Sequence, residues 1–411
     1  MTACRLCGST SLASVVDLGA TPPCERFLTA EQLEEPEVTY PLHLRVCTGC
    51  WLAQIPPMIT PEDTFTEYAY FSSYSTSWVE HAREFVHGAV DRLGLDDDSF
   101  VVEVASNDGY LLRHVIDQGI RCLGIEPSKN VGQAARDGGV PTLTAFLGPE
   151  TADTVRQEYG PADLVVANNV YAHIPDVIGF TQGLRALVAD DGWVSIEVQH
   201  LLTLMEFNQY DTIYHEHFQY YTVASAQRAL ASGGLTLVDV ETLPTHGGSI
   251  RLWARPAEVA GEPGERVAEL LAAEKAAGLH ELSGYAEFRE RVARVRRDLL
   301  KFLVGAAEEG KTVVGYGAPG KGNTLLNHCG IRADLLSYTV DRNPYKHGRF
   351  TPGARIPILP PERIAEDRPD YVLVLPWNLR EELIGQLSFI HAWGGRLVFP
   401  IPSLEIVEVN P

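Results

Sequence analysis

The sequence predicts an α/β protein with three parts: an N-terminal zinc-ribbon-like module, a central Rossmann-like domain and a C-terminal Rossmann-like α/β domain. Two C-x2-C motifs lie near the N-terminus. Two later stretches each run from an apolar strand through a tight turn and a helix to a second strand that ends in an acid. That order of elements builds the ligand-binding corner of a doubly wound sheet. We place the three parts at residues 1–65, 66–260 and 261–411.

The N-terminal motifs predict a structural zinc site. Each C-x2-C turn can present two thiolates to one metal ion, and four thiolates complete a tetrahedral shell that leaves no open position for water. Such an ion would stabilise a segment that has little core of its own. The alternative is four reduced cysteines without a metal. The predicted ligands are Cys4, Cys7, Cys47 and Cys50.

The central corner, residues 100–126, predicts the ligand of its domain. A dinucleotide site requires G-x-G-x-x-G, but Ala105 and Asn107 stand where two glycines would be. Glu103 ends the first strand, where an acid repels phosphate and attracts a cation. S-adenosylmethionine carries a sulfonium, an ammonium and no phosphate, and Glu126 can accept both hydroxyls of its ribose. We therefore predict S-adenosylmethionine as the cofactor. The alternative is an ordinary βαβ unit with another ligand.

Two further segments belong to this predicted cofactor site. The stretch EYAYFSSYSTSW, residues 67–78, has rings and hydroxyl groups that could cover a cofactor or pack against the next domain. A buried strand at residues 163–167 ends in two asparagines, and strand ends at this edge of the sheet face the crevice. The residues predicted to bind the cofactor are Tyr70, Phe71, Ser72, Glu103, Ala105, Asn107, Gly109, Glu126, Pro127, Asn168 and Asn169.

A cluster of titratable side chains predicts acid–base chemistry. The stretch YHEHFQYYT, residues 214–222, begins with Tyr214, His215, Glu216 and His217, and His173 follows a strand end beside the predicted methyl donor. Three interpretations are open: the two neighbouring histidines bind a metal, the segment is a packed aromatic loop, or one histidine is a general base. We favour the general base, because a methyl donor needs an activated acceptor.

The C-terminal corner predicts a second ligand. Its GYGAPG sequence, residues 315–320, matches G-x-G-x-x-G and admits an alternative function as an NAD-dependent oxidoreductase. Pro319 and Lys321 are unusual in such a turn, and Lys321 indicates a different ligand that carries phosphate. The stretch THGGSIR, residues 245–251, could cradle an anion or form a hairpin turn. The residues predicted to bind substrate are Gly248, Ser249, Arg251, Lys321, Asn323, Arg342, Lys346 and Arg349.

Composition limits the partners and the compartment. The chain has 411 residues, of which 33 are basic and 54 acidic, for a formal net charge of -21. Nucleic acid is therefore not expected as a partner, because phosphates require a basic surface. No apolar run is long enough to span a membrane, and the N-terminus lacks the features of a signal peptide. We expect a cytoplasmic protein with reduced cysteines.

Taken together, these motifs resemble the sugar C-methyltransferases of deoxysugar and antibiotic biosynthesis. The resemblance covers nearly the whole chain. It rests on the paired C-x2-C motifs, EYAYFSSYSTSW, VEVASNDGYLL, NNVYAHIPD, YHEHFQYYT, THGGSIR, GYGAPGKGNTLLN and VDRNPYKHGRFTPG. One departure is Ala105, where the family commonly has glycine. A non-catalytic zinc-ribbon binding protein with degenerate nucleotide folds is a further alternative.

The resemblance implies methylation of C3, or in some members C5, of a dTDP-4-keto-6-deoxy sugar. The central part would be an S-adenosylmethionine-dependent methyltransferase domain, and the C-terminal domain would hold the dTDP-sugar instead of NAD. The C4 ketone acidifies the C3 hydrogen, a base removes it, and the enolate attacks the methyl group. By the family's pattern, His217 is the base and Tyr214 and Glu216 belong to the same site, while His173 and Tyr68 contact the keto sugar. No catalytic metal is required, and we expect a monomer.

Overall fold

The computed structural model describes residues 3–61 and 71–409, and Tyr68 and Tyr70 lie outside these ranges. The strands are β1 (Leu12–Thr21), β2 (Tyr40–Cys47), β3 (Ala53–Gln54), β4 (Phe100–Val104), β5 (Arg121–Ile125), β6 (Thr142–Leu143), β7 (Ala162–Asn168), β8 (Val188–Gln199), β9 (Gln219–Tyr220), β10 (Leu235–Leu243), β11 (Ser249–Pro256), β12 (Val313–Tyr316), β13 (Thr339–Val340), β14 (Ile358–Leu359), β15 (Tyr371–Val374), β16 (Arg396–Phe399) and β17 (Glu405–Glu408). The α-helices are α1 (Thr76–Leu93), α2 (Leu112–Asp117), α3 (Lys129–Asp137), α4 (Pro149–Tyr159), α5 (Val177–Leu187), α6 (Leu201–Glu206), α7 (Val223–Ser232), α8 (Glu265–Ala276), α9 (Leu282–Glu308), α10 (Gly320–Cys329), α11 (Arg363–Asp367) and α12 (Arg380–Gln386).

The N-terminal sheet contains a strand from the middle of the chain. Its order is β1-β2-β3-β9, and Ala53 of β3 pairs antiparallel with Tyr220 of β9. The segment YHEHFQYYT therefore closes the sheet of the cysteine-rich module. A strand of two residues has no periodicity of its own, so only the tertiary structure reveals this pairing.

The central sheet is doubly wound. Its order is β10-β11-β8-β7-β4-β5-β6, in which β6, β5, β4, β7 and β8 are parallel and β11 and β10 form an antiparallel edge. The winding direction reverses between β4 and β7, and in such sheets the ligand crevice lies beyond the carboxyl ends of the strands at that point. The strand β8 includes Asp191 and Gly192. Its pairing with β7 is irregular there, which accommodates the glycine.

The C-terminal sheet repeats this architecture. Its order is β14-β13-β12-β15-β16-β17, parallel except for β17. The strand β13 covers only Thr339 and Val340. Leu335 and Leu336 lie in the turn before it, where both of their N–H groups donate to the carbonyl oxygen of Arg332.

One long helix joins the two ends of the molecule. Along the 27 residues of α9, apolar side chains recur every three or four positions, as in a helix with one buried face. That face belongs to a core shared by the N-terminal strands and the C-terminal sheet. Arg289 of α9 also donates to the carbonyl oxygen of Val15 in β1 at 2.9 Å. None of the described helices is both long and apolar enough to cross a bilayer.

Candidate active site

A cavity of about 380 Å³ lies beyond the carboxyl ends of the central parallel strands. Its wall draws residues from all three parts of the chain, including Glu25 from the N-terminal module, Glu126 and His217 from the central part, and Lys321 from the C-terminal domain. The predicted site residues on this wall are Ser72, Ala105, Asn107, Glu126, Pro127, Asn168, Asn169, His173, Tyr214, Glu216, His217 and Lys321.

The turn after β4 adopts the shape that glycines usually provide. Ala105 and Asn107 have φ values of 56° and 49°, in the left-handed region that glycine favours. An alanine in this conformation costs about 1 kcal/mol, and this explains why glycine suits position 105. The Ala105 N–H donates to the Ile125 carbonyl oxygen at 2.7 Å, so the turn keeps its shape. Gly109 lies off the cavity wall, where a Cβ would come within 2.7 Å of Val140.

Glu126 ends β5 and is oriented by its own turn. One carboxylate oxygen accepts the Asn107 N–H at 2.9 Å and the other accepts the Ser128 N–H at 2.8 Å. Burial raises the pKa of this carboxyl. Each oxygen retains acceptor capacity, and the side chain lines the cavity. The arrangement fits two vicinal hydroxyls, as on a ribose.

Several buried polar atoms near the turn have no hydrogen-bond partner among the described residues. They include Oδ1 of Asn168 and Nδ2 of Asn169, both on the cavity wall, and Oε2 of Glu103 in β4. Burial and the charges of Glu126 and Asp108 hold the pKa of Glu103 well above its usual range. Glu103 itself lies off the cavity wall, so the fit to S-adenosylmethionine rests on Glu126, Asn168 and Asn169.

Part of the cavity wall is apolar and contains Ile125 of β5 together with Ala145, Phe146 and Leu147 of the loop after β6. Sequence reasoning missed these residues because no motif marks that loop. This wall suits the flat face of a purine. Ser72 also lines the cavity, and its N–H donates to Oδ1 of Asn107 at 2.8 Å. The Phe71 ring stacks on Tyr74 with centroids 5.4 Å apart and lies off the wall.

His217 presents one ring nitrogen as a hydrogen-bond acceptor. Nδ1 lies 3.0 Å from the carbonyl oxygen of Thr212, which can only accept, so Nδ1 carries the hydrogen. Nε2 then holds the lone pair in the neutral ring and accepts the Tyr214 hydroxyl at 2.9 Å. Burial, together with nearby His173, lowers the pKa of His217 well below its usual value. The ring is therefore neutral at physiological pH, as a general base requires.

The other two histidines of the predicted cluster differ in position. His173 lines the cavity, 4.6 Å from His217 between ring centroids, and burial lowers its pKa to about 4. His215 is buried away from the cavity, with Nε2 3.2 Å from the carbonyl oxygen of Tyr40. The two histidines of the H-x-H pair thus contact different neighbours. Among the described residues they form no metal-binding group.

Glu216 lies on the cavity wall beside a thiol. Its Oε2 accepts the Cys24 S–H at 3.3 Å. Burial raises the pKa of this carboxyl to about 7, and the nearby Glu25 adds to the shift.

The C-terminal glycine motif contacts protein where a dinucleotide would need space. At the start of α10 the Glu25 carboxyl lies so close to Gly320 that a Cβ there would come within 2.9 Å of Oε1, and the Ala318 N–H donates to Asp341 at 2.8 Å. A pyrophosphate would use the same helix N-terminus. Lys321 lines the cavity, donates to Asn378 at 2.9 Å and lies 5.0 Å from the Trp377 ring centroid.

The other residues predicted to bind substrate lie off the cavity wall; they are Gly248, Ser249, Arg251, Asn323, Arg342, Lys346 and Arg349. Arg251 donates to buried Glu197 at 2.9 Å, and Asn323 donates to the Cys24 carbonyl oxygen at 2.7 Å. Within the described protein these side chains connect elements to one another. A sequence pattern cannot distinguish such a role from ligand binding.

Glu25, Trp78 and His246 are among the wall residues that sequence reasoning missed. Glu25 follows β1 and belongs to no motif. Trp78 lies in the aromatic segment, and its ring centroid is 4.8 Å from that of His246. His246 lies within THGGSIR at a φ of 53°, and burial lowers its pKa to about 4. This positive φ is a strained conformation for a histidine, and such strain is common at functional sites.

The four predicted zinc ligands form one cluster. Their sulfur atoms all lie within 4.8 Å of one another, and two of the pairs are 3.5 Å apart. Four sulfurs around zinc at 2.3 Å are about 3.8 Å apart, so the cluster fits the ion. Gln54 donates to the Cys4 sulfur at 3.1 Å, as expected beside a thiolate. With all four positions taken by sulfur, this zinc is structural.

Comparison with known proteins defines the class. Three family models match: a zinc binding domain at residues 4–65, a methyltransferase domain at residues 78–240 and a C-methyltransferase C-terminal domain at residues 244–402. The chain is 39% identical over 407 residues to the C-methyltransferase NovU of Streptomyces niveus, covering 99% of this chain and 97% of the relative.

This chain therefore belongs to the C-methyltransferase family and is an S-adenosylmethionine-dependent enzyme with a four-cysteine zinc site. The predicted family, fold class, cofactor and zinc site are confirmed. The oxidoreductase and the non-catalytic binding protein are excluded as alternatives.

Two solved methyltransferase structures resemble part of the chain. Magnesium protoporphyrin IX methyltransferase from Synechocystis PCC 6803 with bound SAM is 17% identical, covering 43% of this chain and 80% of its own, with a TM-score of 0.33. An S-adenosylmethionine-dependent methyltransferase from Clostridium acetobutylicum is 10% identical, covering 44% of this chain and 92% of its own, with a TM-score of 0.35. Because these scores are low, nothing about this chain rests on them.

Proposed function

We propose that this enzyme methylates C3 of a dTDP-4-keto-6-deoxy sugar after His217 removes the C3 proton. The observation that carries the proposal is the pair of contacts on the His217 ring. The Thr212 carbonyl fixes the Nδ1 hydrogen, and Nε2 lies on the cavity wall with its lone pair in contact with the Tyr214 hydroxyl. The sugar itself follows from the motifs that resemble sugar C-methyltransferases.

The protein's own groups account for the proton transfer. The C3–H bond breaks, its proton passes to Nε2 of His217, and the electron pair moves toward the C4 ketone oxygen. His217 is neutral before the step because burial lowers its pKa, so no proton must first be lost. Tyr214 releases Nε2 and its hydroxyl becomes available as a hydrogen-bond donor.

Developing charge on the ketone oxygen requires donors that are already positioned. Lys321 and Tyr214 lie on the wall and are held by Asn378 and His217. His173 has a pKa of about 4 and is neutral, so it would act by polar contact and not by charge. S-adenosylmethionine, when bound along Glu126 and the Asn168–Asn169 turn, supplies the electrophilic methyl group.

The division into residues 1–65, 66–260 and 261–411 is part of the proposal. The central part would bind the methyl donor and the C-terminal part would bind the dTDP portion of the substrate. The presence of Lys321 on the shared cavity wall supports this arrangement. Tyr68 is proposed to contact the sugar on the family's pattern alone.

Turnover against a panel of dTDP-4-keto sugars tests the function. A mass increase of one methyl group, located on C3 by NMR, is the expected result. Methylation of C5, or of an oxygen atom, would contradict the C3 mechanism. No turnover of any keto sugar would contradict the proposed substrate class.

A further inference from the structure

The loop that follows β1 carries an acid into the cavity. The strand ends at Thr21, and Glu25 four residues later lies on the cavity wall together with Gly320 and Lys321 of the C-terminal domain. The proposed mechanism leaves this carboxylate without a task.

Contacts with two other parts of the chain hold this loop in place. Nδ2 of Asn323 donates to the carbonyl oxygen of Cys24 at 2.7 Å. The Cys24 thiol donates to Glu216, which neighbours His217 in sequence. Leu28 pairs with Phe350 through two backbone hydrogen bonds of 3.0 and 2.9 Å. Contacts of Cys24, which precedes Glu25, and of Leu28, which follows it, thus fix the position of this loop.

The carboxylate is held close to the N-terminus of α10. A Cβ on Gly320 would come within 2.9 Å of Oε1 of Glu25 and 2.8 Å of the Cys24 sulfur. The glycine therefore permits this approach. Burial raises the pKa of this carboxyl, whereas the charge of nearby Lys346 and the positive end of the helix dipole favour its ionised form. An ionised carboxyl has about four acceptor sites, so this side chain can accept a hydrogen bond from a ligand.

We propose that Glu25 is a specificity-determining residue that accepts a hydrogen bond from an O–H or N–H group of the acceptor sugar. A carboxylate repels phosphate, so Glu25 faces the sugar ring and not the diphosphate. Glu216 beside it already accepts the Cys24 thiol, whereas Glu25 can receive a ligand donor on the cavity side. The inference rests on the proposed function for the identity of the acceptor. It gives the zinc module a direct part in substrate recognition.

A cycle that removes the two partners in turn tests this contact. Wild type and Glu25→Ala are assayed with dTDP-4-keto sugars that each lack one hydroxyl or amino group. Glu25→Ala should lower kcat/KM for the full substrate about 10- to 100-fold, mainly through KM, the range for a hydrogen bond to a charged group. At one ring position, removal of the sugar's hydroxyl or amino group should lower kcat/KM far less in Glu25→Ala than in wild type.

Controls separate recognition from folding. Glu25→Gln keeps the shape and one acceptor oxygen, and should retain an intermediate kcat/KM. Glu34→Ala removes an exposed acid of the same module and should leave kcat/KM unchanged. Zinc content and S-adenosylhomocysteine affinity should match wild type in all three variants.

Two results would overturn the inference. The first is that, in an active enzyme, the loss in kcat/KM from Glu25→Ala and the loss from removing a sugar group are additive at every ring position. In that case Glu25 does not contact the sugar and the proposed function stands. If wild type turns over no dTDP-4-keto sugar, the proposed function and this inference fall together.

Discussion

The hydroxyl of Tyr214 lies 2.9 Å from Nε2 of His217 and donates its hydrogen to that nitrogen. The Thr212 carbonyl oxygen, 3.0 Å from Nδ1, determines that Nε2 and not Nδ1 is the basic atom presented by the ring. The contact between Tyr214 and His217 links two side chains that are three residues apart on one short loop. The proposed base and its hydrogen-bond partner therefore lie side by side on the cavity wall.

Replacement of the base should affect two observables together. In heavy water, the enzyme with its keto sugar and S-adenosylhomocysteine should exchange the C3 hydrogen for deuterium. His217→Asn should slow this exchange and methyl transfer alike by about 10²- to 10⁴-fold, the usual worth of general-base catalysis. Mass spectrometry measures both.

The neighbouring histidines provide the comparison for this prediction. His215→Asn should keep near-normal kcat in the folded protein, because His215 lies off the cavity wall. If His217→Asn retained exchange and His173→Asn abolished it, the two roles would have to be interchanged.

The cofactor affinity should depend on Glu126. Glu126→Ala should weaken S-adenosylhomocysteine binding about 10- to 100-fold, because it removes hydrogen bonds to a charged acceptor. Glu126→Gln keeps one acceptor oxygen and should lose less. Isothermal calorimetry measures the change, with Asp153→Ala, an exposed acid of the same domain, as control. Unchanged affinity in Glu126→Ala would remove the ribose contact from the proposed site.

Glu216 should make folding stability depend on pH. Burial raises its pKa to about 7 in the folded protein, against about 4.5 when unfolded, so the folded state binds this proton more tightly. The contribution of this proton to the free energy of unfolding is complete below the unfolded pKa and is lost as pH rises from about 4.5 through about 7. Glu216→Gln lacks this titration. Its free energy of unfolding, relative to that of wild type, should therefore rise by up to about 3 kcal/mol from pH 4.5 to pH 8.

Urea unfolding at both pH values measures this difference. Glu34→Gln, which replaces an exposed acid, should show no such change. A wild-type and Glu216→Gln pair whose stabilities run parallel across this range would contradict the raised pKa.

Loss of zinc should act through folding. Metal analysis should find one zinc per chain, and chelation or Cys4→Ser should lower Tm, because metal binding in such modules is coupled to folding. Activity should fall with the folded fraction, since a four-sulfur site has no open position. Cys122→Ser changes a buried cysteine outside the cluster and should keep the zinc. Freshly purified protein without zinc would contradict the site.

The sequence by itself determined the features that depend on local order along the chain. The paired C-x2-C motifs, the β4–turn–α2–β5 corner and the acid at Glu126 follow from spacing and composition, because knuckles, turns and strand ends form from neighbouring residues. The cofactor and zinc assignments depended only on such local features. Buried parallel strands are continuous apolar runs, so the two doubly wound domains were also predictable.

Only the tertiary structure decided how distant segments share one cavity. The position of Glu25 at Gly320 joins residues that are far apart in the chain, and no periodic pattern records such a contact. Arg251 is the opposite case: its motif resembles an anion site, but buried Glu197 neutralises the arginine across two paired strands. A charge has the same sequence signature whether its partner is a ligand or a side chain. The difference lies in burial and distance, which the packing of the three parts establishes.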